Sequence, residues 1–350
     1  MRDRISIVGK LARRSSIRRS TSSFVTSRTC VDEIVANVVL KGEAARLRTL
    51  GEIISDTLRN VRNSEGRHGT LLLQVRRAYA QPVTPSRGNS RRHAFRLWAM
   101  VALTLPRLHW GQASATHKAL VVHGLGSSAA TTWQLSEALA EAGWSATAVD
   151  LRGHGLAPRA TRYRIEDFAE DLASASPDGG GSWEVVVGHS IGAASAVMAA
   201  HRVPTWTKRL VLLDPALELG EATKNQVLEN QRQGHLYQSV DDIRQANPHW
   251  HPLDVELKVQ AHKQASLFAL EHAVFDNDPW NVTEEATSLA IPTLVIGADP
   301  SQGSMFCNEY AARMVEANPH MTYVVIEGAG HSVHRDKPQD TIEAILSYVN

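Results

Sequence analysis

An α/β fold, with a mostly parallel central sheet and helices on both faces, follows from three observations. Short, almost wholly apolar runs recur through residues 100–350. Longer segments with apolar residues at helical spacing lie between them. Several runs end in a tight glycine-bearing turn rather than a hairpin signal. A strand covered on both faces has no polar side to alternate with, so this rhythm indicates a parallel sheet enclosed by helices.

Each element can be placed in turn. Residues 101–105 and 118–123 are strand-like, and residues 131–142 have helical periodicity ending at Gly143, a plausible C-cap. A second long strand covers 144–150, a helix 165–174, a Pro/Gly loop 176–182 and a third strand 183–187. A small-residue helix follows over 191–201, then a strand at 209–214. Further strands fall at 291–296 and 321–326, with helices at 305–317 and 339–349. Between Asp214 and Ile291 the rhythm breaks, with no convincing strand and with helical stretches such as 255–272. A structureless loop of that length is unusual in a compact domain, so a helical insertion over the C-terminal edge of the sheet is expected at about 216–288.

The bulk composition is ordinary for a globular chain: 350 residues, 43% hydrophobic and 21% charged. The net charge of +1 hides a split between a strongly basic first hundred residues and an acidic remainder. Residues 1–99 read as a basic Arg/Ser-rich extension, disordered or derived from a start codon placed too early, with the working domain beginning near Met100. Residues 1–30 also have the composition of an organellar transit peptide, or of a basic arm for nucleic acid or anionic lipid. Cys30 and Cys307 lie too far apart to build a disulfide framework, which fits a reducing compartment, and a cytoplasmic location is expected. No apolar run approaches a membrane span, and neither a nucleic-acid partner nor a cofactor is expected.

Gly188-His189-Ser190-Ile191-Gly192 stands between the third strand and its helix. Strand, sharp turn and helix form the context in which Gly-x-Ser-x-Gly marks a nucleophile. A serine hydroxyl near neutral pH needs a base within reach, and the base needs an orienting acid. Gly328-Ala329-Gly330-His331 follows the last strand, and Gly297-Ala298-Asp299-Pro300 follows the one before it. Both lie at the sheet edge that carries Ser190. His331 is the candidate base and Asp299 the candidate acid, with Asp214, after the 209–214 strand, as the alternative acid.

Four segments together resemble the α/β-hydrolase family over roughly residues 103–350: His123-Gly124-Leu125-Gly126, Asp150-Leu151-Arg152-Gly153-His154-Gly155, the Ser190 turn and Gly330-His331. The resemblance implies a Ser-His-Asp hydrolase acting on an ester-type bond of a small acyl substrate. It also implies oxyanion-hole amides at Leu125 and Ile191 and a helical cap in the long gap. C–C bond hydrolysis and acyl transfer would use the same residues, and a non-catalytic receptor on this fold is a further alternative. Dehalogenase and epoxide hydrolase chemistry need a carboxylate where Ser190 stands. The His-Gly-Gly-Gly turn of many lipases is absent.

His123 and His189 are expected to pack and hydrogen-bond around the oxyanion turn and the nucleophile turn, Asp150 and Arg152 to form a structural network, and His334 to be structural or to contact the cap. His249-Trp250-His251, with Asp254 and His262 nearby, invites a metal reading. Two histidines two apart cannot share a helix face, however, and no third ligand has convincing spacing, so no metal is expected. Trp250, Trp280 and Phe268 are expected either to line an apolar pocket or to pack the insertion.

Overall fold

The computed structural model describes residues 102–236 and 239–350. The basic extension and the Met100 start lie outside those residues. The described chain opens with β1 (Arg107–Trp110), β2 (Lys118–Val122), a short 3-10 turn and α1 (Trp133–Glu141). There follow β3 (Ser145–Val149), α2 (Ile165–Ser174), β4 (Val185–His189), α3 (Ile191–Arg202) and β5 (Leu210–Leu213). An insertion then carries β6 (Glu218–Leu219), α4 (Glu221–Leu236), α5 (Val240–Ala246), α6 (Pro252–Gln264), α7 (Leu267–Phe275), β7 (Trp280–Asn281) and α8 (Thr283–Thr287). The chain closes with β8 (Thr293–Ala298), α9 (Asn308–Ala317), β9 (Met321–Ile326), α10 (Val333–Asp336) and α11 (Pro338–Val349).

Seven strands form one sheet in the order β1-β3-β2-β4-β5-β8-β9. Only the β1–β3 pair is antiparallel. Alternation along each strand divides the core between two faces. Leu120, Val122, Leu212 and Val295 pack with Phe168 and Leu172 of α2 and Ile191 and Val197 of α3. Val121, Val187, Val211 and Ile296 pack on the other face with Leu135 and Leu139 of α1 and Ile345 and Val349 of α11. These side chains are almost wholly buried. Each buried aliphatic group of this size contributes about 1.5–3 kcal/mol relative to exposure.

The expected parallel sheet is present, with three local differences. The run at 101–105 is not a strand over its described part: the Leu103 amide is taken by the buried Asp171 carboxylate at 2.6 Å, and pairing starts at Arg107. The expected helix at 255–272 is two helices, because Ser266 caps α7 by accepting the Ala269 amide and donates its own amide to Gly153. That bond also fastens the insertion to the loop after β3. Finally, the long gap holds a two-stranded ribbon, with Glu218 and Leu219 antiparallel to Asn281 and Trp280, which closes the insertion at its base.

Candidate active site

β4 ends at His189, and Ser190 turns the chain into α3 with φ 54° and ψ −121°. This region is unfavourable for a residue bearing a Cβ and persists only where the surroundings hold it. The Ser190 amide donates to Leu213 O at 3.1 Å, and the Ser190 carbonyl receives the amides of Ala193 and Ala194. The flanking glycines are required by close approach. A Cβ on Gly188 would lie 2.8 Å from the Ala193 Cα, and one on Gly192 would collide with the carbonyl oxygen of His123.

His331 stands after β9 and reaches back over the sheet edge. Its Nε2 lies 3.0 Å from Ser190 Oγ and its Nδ1 2.7 Å from Asp214 Oδ2. Since a carboxylate only accepts, Nδ1 carries the proton and Nε2 presents its lone pair to the hydroxyl. Asp214 follows β5 with φ 35° and is fully buried. Its carboxylate also accepts from Ser304 Oγ at 2.6 Å and from the amides of Ala298, Met305 and Phe306. Burial pushes the carboxyl upward, but the hydrogen bond and charge of His331, with these other donors, hold it below the ordinary aspartate range. A hydroxyl, an imidazole and an ionised carboxylate in one chain have the geometry that nucleophilic acyl chemistry requires.

The structure therefore sets Asp214, not Asp299, against His331. Asp299 spends its carboxylate locally, accepting from Ser301 N, Ser301 Oγ and Gly328 N. It caps a 3-10 turn that has Pro300 in its first positions, and so ties the loop after β8 to the loop that leads to His331. Asp followed by Pro at a helix start is a capping signal, and it could have identified this role from sequence.

Leu125 and Ile191 line the same cavity as Ser190 and His331. Ile191 is the first residue of α3, where an amide has no intrahelical partner. The turn bearing Leu125 is braced by two neutral histidines. The Leu151 amide donates to His123 Nε2, and His123 Nδ1 donates to Gly124 O. The Gly126 amide donates to His154 Nε2, and His154 Nδ1 donates to Arg152 O. Burial brings both rings down to about 3, so they remain neutral acceptors. His189 Nε2 bonds the His331 carbonyl at 2.9 Å, and the His189 ring packs 4.8 Å from the rings of both His331 and His334. Asp150 accepts the amides of Ala129 and Leu156, and Arg152 forks onto Asp171.

The histidine cluster of the insertion disperses. His249 and Trp250 both bond Asp336, while His251 caps α6. Trp280 lines the cavity and donates to Ala216 O, Trp250 lies under the Arg335 guanidinium at 5.2 Å, and Phe268 is 49% exposed, stacked on His272. Sequence reasoning missed two cavity-lining cations, Lys258 of α6 and Arg335 of α10. Neither lies in a motif, and their convergence is purely tertiary.

Residues 119–344 match the family model described as the alpha/beta hydrolase family. That is well over half of the chain, and the chain belongs to this family of α/β-fold hydrolases. It is 27% identical over 250 residues to the 2-(acetamidomethylene)succinate hydrolase of Mesorhizobium japonicum, covering 66% of this chain and 87% of that protein. Among solved structures it resembles an N-formylmaleamic acid deformylase from Pseudomonas putida, with TM-score 0.58, 23% identity and coverage of 69% and 94% of the two chains. It also resembles a thermophilic esterase from Thermogutta terrifontis, with TM-score 0.57, 21% identity and coverage of 70% and 92%. Among the described residues no helix is long and apolar enough to cross a membrane.

Proposed function

We propose that this chain is a serine hydrolase that cleaves an acyl bond of a small molecule through an acyl-enzyme. Ser190 Oγ attacks the carbonyl carbon as its proton passes to His331 Nε2. Asp214 holds the imidazole in the productive tautomer and stabilises the imidazolium. The Leu125 and Ile191 amides receive the oxyanion, a contribution of roughly 3 kcal/mol for each such donor. His331 then gives its proton to the leaving group, and water, activated by the same ring, releases the acid. The 3.0 Å Ser190–His331 contact, continued to Asp214, carries this reading.

The insertion serves as a cap, since Val227, Asn230, Gln231 and Lys258 from its helices line the cavity. The bond is an ester or an amide. The amide reading draws on relatives named as an acetamido-compound hydrolase and a deformylase. Covalent labelling by a fluorophosphonate, lost in Ser190→Ala together with turnover of phenyl acetate and its anilide, tests the mechanism. The ratio of the two rates chooses the bond. Labelling without turnover of any acyl compound would instead support a receptor. The hydrolase unit is residues 100–350, and a chain beginning at Met100 should label as the full chain does.

A further inference from the structure

Arg335 is buried and Lys258 half-buried, both line the cavity that holds Ser190 and His331, and both point a nitrogen at one hydroxyl. Ser127 Oγ lies 3.3 Å from Lys258 Nζ and 3.4 Å from Arg335 Nη2. Among the described residues neither cation makes an ion pair within 4.0 Å, and the cavity lining contains no Asp or Glu. Asp254 and Asp336 attract Arg335 only from beyond ion-pair distance, and each spends its hydrogen-bonding oxygens elsewhere. Asp254 accepts from Trp133 Nε1 and Gln134 Nε2, while Asp336 accepts from Trp250 Nε1, His249 Nε2 and the Gly330 amide.

Two like charges held this close at a partly enclosed cavity, with no carboxylate in its lining and none acting on Lys258, are unfavourable unless something negative enters between them. We propose that Lys258 and Arg335 receive a free carboxylate of the acyl substrate, making the preferred substrate a short acyl compound that carries a second, ionised acid group. This rests on the hydrolase reading of Ser190. Burial, and then the charge of Arg335, bring the Lys258 ammonium down to about 7, the behaviour of a cation that lacks its anion. The cavity measures about 140 Å³. A dry cavity of about 150 Å³ holds benzene, so the space suits a short acid rather than a long chain. Lys258 also donates to Gly126 O at 2.7 Å, so bound anion and oxyanion turn share one support.

The test compares phenyl hydrogen succinate with its methyl ester, which has the same acyl length without the charge, on the full chain at slightly acid pH. The free acid should be favoured in kcat/KM by about tenfold or more, the size of one hydrogen bond to a charged group. Lys258→Met and Arg335→Gln should each bring that ratio toward one. Calorimetry of both esters on Ser190→Ala reads the same preference without turnover, and the wild-type comparison needs no cavity substitution at all. Equal kcat/KM and equal Kd for the two esters overturn the carboxylate assignment and leave the hydrolase standing. A preference that survives both substitutions, or an equal loss on both esters marking a mere loop clamp, also overturns it. No turnover and no fluorophosphonate labelling, with the acid still bound preferentially, overturns the hydrolase reading instead and leaves the anion site.

Discussion

Asp214 and His331 meet at 2.7 Å although 117 residues separate them. β5 and β8 are neighbours in the sheet, and β8 pairs with β9, so the loops after β5 and β9 stand one strand apart on the same edge. A carboxylate after β5 therefore reaches across the end of β8 to the ring. The contact is sealed by Ser304, Met305 and Phe306, which close over Asp214 from the segment before α9.

Asp214→Asn should lower kcat by about 10⁴-fold, because an amide facing Nδ1 favours the wrong imidazole tautomer. Asp299→Ala should leave kcat close to wild type while lowering the melting temperature, since it removes a turn cap and a loop tie. Steady-state kinetics on one acyl substrate, paired with thermal melts, separates the two. A larger kcat loss at Asp299 than at Asp214 would reverse the assignment.

Much of this was legible in the sequence, for reasons particular residues make plain. Ser190 and His331 announce themselves because their backbone needs are local: two glycines at the nucleophile turn and a glycine-bearing loop before the histidine. The sheet was legible because β2, β4, β5 and β8 are buried on both faces. The sequence left Asp299 and Asp214 as competing partners for His331 because both follow strands on the same edge, and only sheet order and the Ser304 loop bring Asp214 to the ring. Lys258 was illegible because a lysine on a polar helix reads as solvated. Its partial burial depends on α10 and the Gly124–Ser127 turn, which are distant in sequence.

The neutral histidine that braces the Leu125 turn gives a second expectation. His154→Ala removes the acceptor of the Gly126 amide and frees the turn that presents Leu125. Outright loss of one oxyanion donor costs about 10²–10³ in kcat, so a loosened donor should fall nearer tenfold, with KM little changed. His154→Gln, which can again accept from an amide, should recover part of that loss. Acyl-enzyme formation measured in single turnover checks this. An unchanged rate would mean that the turn is held without the ring.

Lys258 should also mark itself in stability. Its folded value of about 7 is depressed from 10.5, so the native state binds fewer protons than the unfolded state between those values. Stability then rises with pH across that window. The groups facing Lys258 are Arg335 of α10 and the buried rings of His123, His154, His189 and His334, and the rings' lowered values place their titration below it. Lys258→Met should be more stable than wild type at neutral pH, and the difference should shrink as pH approaches 10. Urea unfolding at several pH values reads this directly, and a constant difference would count against a half-buried ammonium held without an anion.

Below neutrality the sign is set by four buried histidines. Burial is the leading cause in each case: His123 and His154 fall to about 3, and His189 and His334 lie well below 6.5. Once unfolded, each ring takes up a proton near pH 6.5, while in the native state it stays neutral. The native state is therefore favoured fully above about 6.5 and loses ground steadily as pH falls toward 3. Each ring contributes a slope of up to about 1.4 kcal/mol per pH unit. Unfolding at about pH 5 should thus take up between two and four protons, visible as a fall in denaturation midpoint from about pH 7 to 5 with little change in m-value. His334→Leu removes one titrating ring from this set and should flatten that dependence by about a quarter. A profile as steep as wild type would show that the ring already carries its proton in the folded protein, and that the tight packing of His189 against both His331 and His334 accommodates a charge there.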